Sequence, residues 1–282
     1  MATSVDQSFV KQYEAEVKEA YQRQGSLLQN TVRRKGPVNG TSTTMQKIGT
    51  GTTTTKTRNG VIPPMNVDHT PVEVTLGDFY AGDWVDKLDE AAIMHDERRA
   101  LVNAGAYALG RKTDDLIIAA AGGASNASTQ VNLSALTVQN CIDWVTQLGV
   151  RDVPVTDGEM FAIVSWQVWA KLLGFTQFSS ADYVAPQDLP FGGNTFGARR
   201  WMGFIWMPHS GLTASSNIRQ NLAYHRAALG WAFGVDVTTD ITWHGDRQAH
   251  FIANSISQAA VLIDGTAGCK MVLDESQALA TS

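Results

Sequence analysis

The feature that most constrains this 282-residue chain is the run Thr41–Thr57, TSTTMQKIGTGTTTTKT, followed at once by Arg58, Asn59 and Gly60. Threonine stiffens the backbone toward strand through its branched Cβ, and Asn-Gly is a strong hairpin turn signal. The returning limb, VIPPMNVDHTPVEVTL, ends with Val72, Val74 and Leu76 alternating with polar residues, as in a strand with one buried face. The run therefore predicts an extended hairpin over Thr41–Leu76. Its first limb holds almost no large apolar side chain, so it has no core of its own and must lean on another surface or move freely as a low-complexity linker.

The chain before the hairpin reads as an arm. Val5, Phe9, Tyr13, Val17, Ala20 and Leu27 or Leu28 fall at spacings of three and four, which gives one amphipathic helix over residues 4–28. Arg33, Arg34, Lys35, Gly36 and Pro37 follow, and the proline ends any helix there. Residues 1–60 carry nine Lys/Arg against four Asp/Glu, leaving 13 against 23 beyond, so a basic arm and ribbon precede an acidic body within a net charge of −5. That balance does not make a nucleic-acid patch. Apolar runs fall short of the ~18–20 residues of a membrane span and the N-terminus lacks a secretory core, so the chain reads as cytosolic and soluble, with no membrane partner. Cys141 and Cys269 are too few for a disulfide scaffold or a CxxC metal site and read as small buried residues.

After Gly77 the composition shifts to helix formers without proline, and a long helix is expected over Asp96–Ala121, capped by Asp96 and stopped by Gly122 and Gly123. It carries two stripes, Leu101, Ala104 and Ala108, and Val102, Ala106, Leu109, Thr113 and Leu116, so both faces meet protein. Beyond a Gly/Ala/Ser/Asn loop, a helix over Thr137–Leu148 is expected to bury Val138, Ile142, Val145 and Leu148. A short buried strand follows at Met160–Ser165, then the helix WQVWAKLLG and a strand near Trp201–Met207, which together make a compact α/β segment. From Asn221 the pattern reads as a helix, a long strand and a second strand.

Candidate chemistry fails on context. GGNTFGAR at Gly192–Arg199 has Ala198 and Arg199 where a phosphate-binding loop needs Lys and Ser/Thr, leaving a glycine loop at an assembly contact. Ser125, between Gly123 and Ala127, follows a helix, whereas a nucleophile elbow follows a strand. His244, Asp246, Gln248 and His250 would share one strand face, but His residues six apart on a strand lie roughly 20 Å apart and cannot share a zinc ion. His69, His95, His209 and His225 show no recognisable partners and read as ordinary surface or satisfied residues. Eight tryptophans, among them Trp144, Trp166, Trp169, Trp201, Trp206 and Trp231, sit mostly within apolar runs and read as core. No catalytic residue, cofactor or metal is expected.

This order of parts resembles the major capsid protein of tailed bacteriophages, the Hong Kong 97-type fold, over nearly the whole chain. The likeness rests on architecture: the arm, the threonine hairpin, VDKLDEAAIMHDERRALVNAGAYALGRKTDDLIIAA as the entry to a spine helix and its body, and VDVTTDITWHGDRQAHFIANSISQAAVLI as returning strands. It implies an α+β fold with an N-terminal arm at 1–40, an extended loop at 41–77, a peripheral domain with the spine helix at 78–137, an axial domain at 138–234, and return strands with a C-terminal tail at 235–282. It further implies a non-enzymatic subunit that self-assembles as hexamers and pentamers into an icosahedral shell enclosing double-stranded DNA without sequence preference. A scaffolding protein, separate because few residues precede the basic run, and a portal are the other implied partners. The place would be the virion capsid, assembled in the cytoplasm of a bacterial host. Assembly contacts are expected at Lys47, Thr53, Lys56 and Arg58 in the loop, Phe9, Tyr13, Arg33 and Arg34 in the arm, and Phe191 and Arg199 in the axial loop. Lys47 and Lys56 match a loop that some members crosslink, but no acceptor is identifiable and crosslinking is not expected. An encapsulin-like nanocompartment shell is the alternative, and a Ser125 hydrolase a remote one.

Overall fold

The computed structural model describes residues 25–88, 97–180 and 197–276. These form two compact units. One comprises the described parts of Phe79–Arg111 and Val237–Ile256, and the other runs from Ser26 to Asp78, through Lys112–Asp236 and on from Ser257.

In chain order the elements are β1 (Arg33–Lys35), β2 (Ser42–Ile48), β3 (His69–Thr75), β4 (Gly77–Asp86), α1 (Glu97–Ala121), β5 (Asn126–Ala127), β6 (Val131–Asn132) and α2 (Val138–Gly149). There follow β7 (Met160–Val164), α3 (Trp166–Leu173), α4 (Thr176–Ser179), β8 (Arg199–Trp201), β9 (Phe204–Pro208), β10 (Ala214–Ser215) and β11 (Ile218–His225). The last are β12 (Leu229–Phe233), β13 (Thr238–His244), β14 (Ala249–Leu262) and β15 (Gly268–Asp274).

The larger unit is built on an eight-stranded mixed sheet in the order β5-β15-β11-β7-β9-β8, with β6 pairing β15 and β10 pairing β11. Helices α2 and α3 supply its core: Cys141, Trp144 and Leu148 pack with Val168, Trp169 and Leu172 against Met160, Ala162, Phe178 and Trp206. Both helices begin on side-chain caps. Thr137 and Asn140 form a reciprocal capping box, and the Ser165 hydroxyl accepts from the Val168 N–H. Between β8 and β9, Met202 and Gly203 take φ of 52° and 81°, the left-handed pair that a two-residue hairpin turn requires. In the same unit β12 pairs with β1 and with the end of β14, from Leu229↔Leu262 to Phe233↔Gln258.

In the smaller unit β13 runs antiparallel to the start of β14, from Thr238↔Ser255 to His244↔Ala249, and β4 also pairs with β14. The first half of α1 packs closely here. A side chain at Gly105 would strike the Asn254 amide, so only glycine lets helix and sheet approach this far.

The long helix is found at 25 residues, about 37 Å, ending where Gly122 and Gly123 donate to the Ile118 and Ala120 carbonyls. Its expected cap, Asp96, lies outside the described residues. Leu109 and Thr113 are buried as expected, but the stripe continues through Ile117 rather than Leu116.

Other expectations give way. The helix expected from Asn221 is strand β11, because β7 on one side and β15 on the other make it a central strand of the larger sheet. Residues 240–252 do not form one strand. Gly245–Gln248 is a turn, Gln248 has φ of 51°, and His244 and His250 stand on opposite faces of the β13–β14 hairpin. In α2 the buried face is Cys141, Trp144 and Leu148, and Ile142 is exposed, since the indole takes the core position. Trp166 is exposed, whereas Trp144, Trp169, Trp201, Trp206 and Trp231 are buried. Residues 235–276 divide between the units, since β15 joins the eight-stranded sheet beside β11.

Candidate assembly surface

The hairpin begins as a seven-pair antiparallel ladder, Ser42↔Thr75 to Ile48↔His69. Alternation puts Met45 and Val74 on one face, where they are 2% and 3% exposed and pack with Ala232 and Ile263. Gly230 makes room for Met45, whose thioether occupies the space a side chain there would need. Two polar ties fix the same stretch. Lys35 Nζ donates to the Thr44 carbonyl at 2.5 Å, and Lys47 Nζ sits 2.9 Å from Asp264 Oδ1. Burial pushes the Asp264 carboxyl up, but bonds from Lys47 and Thr266 outweigh it and hold the group below the usual carboxylate range.

Beyond Ile48 the ladder stops but the register does not. Gly49 N–H donates to the Asp68 carbonyl at 2.8 Å, Thr54 Oγ1 to the Pro63 carbonyl at 3.3 Å, and Gly60 N–H to the Thr57 carbonyl at 2.9 Å, closing the expected turn with Asn59 at φ 66°. The tip is thus a narrow ribbon reaching roughly 25–30 Å past the ladder. Pro63 and Pro64 deny its second limb two donors. Its apolar residues lie bare: Val61 is 92% exposed, Ile62 72% and Met65 54%. Thr53, Lys56 and Arg58 are exposed as well, whereas Lys47 is engaged by its own chain.

The arm enters through a buried polar hub. Asp114 of α1 accepts from Ser26 Oγ at 2.6 Å and from the Leu27 and Leu28 N–H groups at 3.2 and 3.1 Å. His209 Nδ1 accepts from the Gly211 N–H, so the ring proton sits on Nε2 and is donated to Asp114 at 3.2 Å. Burial raises the Asp114 carboxyl, and these bonds outweigh it and leave it lowered. Thr31 Oγ1 donates to the Leu28 carbonyl, so Tyr224 OH is the donor in its 2.7 Å bond to Thr31. Sequence reasoning missed this hub. The available signal was Asp114 itself, a carboxylate inside the apolar stripe of α1. Arg33 and Arg34 stand exposed on β1, Arg34 lying over Trp231 and Phe233 at 5.2 and 5.7 Å. Arg199 is buried, its guanidinium 4.5 Å over Phe178. Phe9, Tyr13 and Phe191 lie outside the described residues.

Asp157, Glu159 and His225 are the one group among the described residues whose ligand atoms cluster closely enough for a metal, within 4.8 Å of one another. Each already has a partner. His225 Nδ1 accepts from the Ala227 N–H, its Nε2 proton goes to Asp157 at 2.7 Å, and Arg226 pairs with Glu159 at 3.3 Å. Ser125 follows the α1 terminus, and its N–H donates to the Gly265 carbonyl. Both cysteines are buried, and burial pushes the Cys141 thiol up to about 12. Among the described residues no helix is long and apolar enough to cross a membrane.

A family model described as "Phage capsid protein" matches residues 5–274. No curated protein matches. Among solved structures, one of Mycobacterium phage Che8 aligns at a TM-score of 0.74 and 15% identity, covering 97% of this chain and 99% of that one. The capsid of the cyanophage P-SCSP1u aligns at 0.72 and 14%, covering 95% and 94%. That of Ralstonia phage GP4 aligns at 0.68 and 10%, covering 100% and 99%. At these identities the likeness is one of fold.

Proposed function

The chain belongs to the phage capsid protein family, a structural component of the virion shell, and from that premise we propose that its distal ribbon, residues 49–68, is the part that joins one copy to the next. The observation that carries this reading is the contrast within the hairpin: a base buried against its own chain and a tip with bare valine, isoleucine and methionine. A monomer gains little from holding such a tip in order. On an adjoining copy the same ribbon finds apolar partners and strand edges. Weak contacts repeated around a closed lattice add up, because removing one subunit breaks several together.

In this reading Thr53, Lys56 and Arg58 of the ribbon, Arg33 and Arg34 of β1, and Phe9, Tyr13 and Phe191 serve as assembly contacts, whereas Arg199, buried over Phe178, packs within its own chain. Lys47, paired to Asp264, instead sets the angle at which the ribbon leaves. The subunits form hexamers and pentamers of an icosahedral shell around double-stranded DNA. A scaffolding protein and a portal assist, assembly takes place in the host cytoplasm, and no subunit residue is catalytic. The Hong Kong 97-type division into arm, extended loop, peripheral and axial domains is part of the same proposal.

The test is to replace residues 50–67 by a two-residue Asn-Gly turn, sparing the buried base. Electron microscopy of the expressed protein is expected to show shells for the parent chain and folded, unassembled subunits for the variant. Normal shells from the variant would overturn the proposal.

A further inference from the structure

Two neighbouring concavities open on the larger unit beside the base of the hairpin. The first, of about 350 Å³, has an apolar wall that includes Val153, Pro154, Ala228 and Ile263. The second, of about 500 Å³, is lined by Arg33, Arg34, Glu159, Arg226 and Ala227. Arg33 and Ala227 line both, so the two meet at the Arg33 side chain. An apolar chamber with a few charged groups at its mouth is the ordinary build of a small-molecule site. Charge around the pair is unevenly matched. Lys47 holds Asp264 at 2.9 Å and Arg226 meets Glu159 at 3.3 Å, which leaves Asp152 as the one carboxylate of the lining without a cation. Against it stand three arginines. Arg33 has no ion pair among the described residues, Arg34 lies over Trp231 and Phe233, and Arg151 gives one N–H to the Gln147 carbonyl. On a chain of net charge −5 this is a local reversal of sign.

We propose that the paired concavities bind a small organic polyphosphate: an apolar or aromatic body seated in the first chamber, carrying two or three linked phosphates that meet Arg33 where the chambers join. Arg151 of the first chamber and Arg34 of the second complete the cationic surround. Guanidinium is charged at every working pH, and its planar fork matches phosphate two bonds at a time, which selects phosphate over a single carboxylate. The apolar chamber adds a second requirement, an uncharged body on the same molecule. Duplex DNA does not meet it, because its bases stay stacked and it offers phosphates alone. The inference is independent of the ribbon-to-neighbour reading. It touches the hairpin all the same, since Gln46 and Lys47 of the β2 limb line the first chamber, and a bound ligand there braces the hairpin base against the body.

Titration calorimetry on unassembled full-length subunits tests this, with ATP as the probe beside inorganic tripolyphosphate and a short DNA duplex. ATP is expected to bind at least about tenfold more tightly than tripolyphosphate, because only ATP fills the apolar chamber. Arg33→Ala and Arg151→Ala, both at exposed positions, are each expected to weaken ATP binding at least about fivefold. Arg33→Lys, which keeps the charge and loses the fork, is expected to fall between parent and Arg33→Ala. Lys171→Gln, on α3 and outside both concavities, is expected to change nothing. Folded parent subunits that bind no ATP overturn the site. Tripolyphosphate or duplex DNA binding as tightly as ATP also overturns it, since the chamber would then be idle. So does an equal loss in Lys171→Gln, the mark of a general response to charge. None of these results bears on the ribbon, whose own test is the formation of shells.

Discussion

The base and the tip of one hairpin share a sequence style and a register yet live under opposite physical rules. At the base, Met45 and Val74 are buried, Lys47 has a carboxylate and Lys35 holds the Thr44 carbonyl. At the tip, three hydrogen bonds keep a thread of threonine and proline in line while Val61 and Ile62 face water. A hairpin with no core is unstable unless something outside it supplies one. The base has found that support in its own chain, and the tip's composition is suited to finding it in another. Strand propensity therefore says where a ribbon forms, and the placement of large apolar side chains says which part of it the monomer owns.

The comparison breaks most visibly at Met45. Met45→Ala removes a buried side chain that fills the space over Gly230, so a loss of about 2–4 kcal/mol is expected in urea unfolding of the unassembled subunit. The double variant Val61→Ser/Ile62→Ser is expected to change the same measurement by less than about 0.5 kcal/mol, while lowering the yield of shells. Equal effects on the subunit would erase the distinction between base and tip.

Asn59→Val is expected to come next. It forces a β-branched residue into φ 66°, a strain of about 1–2 kcal/mol, which the free tip relieves by opening its turn. Subunit stability should hold, while proteolysis at 57–61 accelerates. Lys47→Ala is smaller still. The pair with Asp264 is partly exposed, with side chains 37% and 28% accessible, so a cost of up to about 1 kcal/mol that shrinks with added salt is expected. Because the Asp264 carboxyl is lowered in the folded chain, its contribution is whole above its unfolded pKa of about 4 and fades as pH falls through the lower folded value. In Lys47→Ala the acid side of the stability profile should flatten. An unchanged profile would detach the pair from the base.

Much of this was legible in the chain itself. The Asn59-Gly60 turn is local chemistry, and so is the α1 terminus at Gly122 and Gly123. The two-faced character of α1 follows from its alternating stripes. The expected strands of the ribbon, in contrast, are laddered only from Ser42 to Ile48 and from His69 to Thr75, because the glycines and prolines beyond break hydrogen-bond continuity. Residues 221–225 were illegible because Asn, Leu, Ala, Tyr and His suit a helix as well as a strand, and only the flanking β7 and β15 decide. The turn at Gly245–Gln248 was missed because alternation on its two sides runs in phase. Of the expected loop contacts, Thr53, Lys56 and Arg58 stand exposed as composition implies. The pairing of Lys47 with Asp264 joins residues far apart in the chain, which no local pattern reveals.

Hydrogen exchange of backbone amides, compared between unassembled subunits and shells, bears most directly on the ribbon's ownership. Amides of Ser42–Ile48 and His69–Thr75 are expected to be protected in both states, and those of 50–57 to exchange freely in the subunit and become protected by at least about tenfold in the shell. Protection of 50–57 already present in the subunit, or none gained on assembly, would contradict the account.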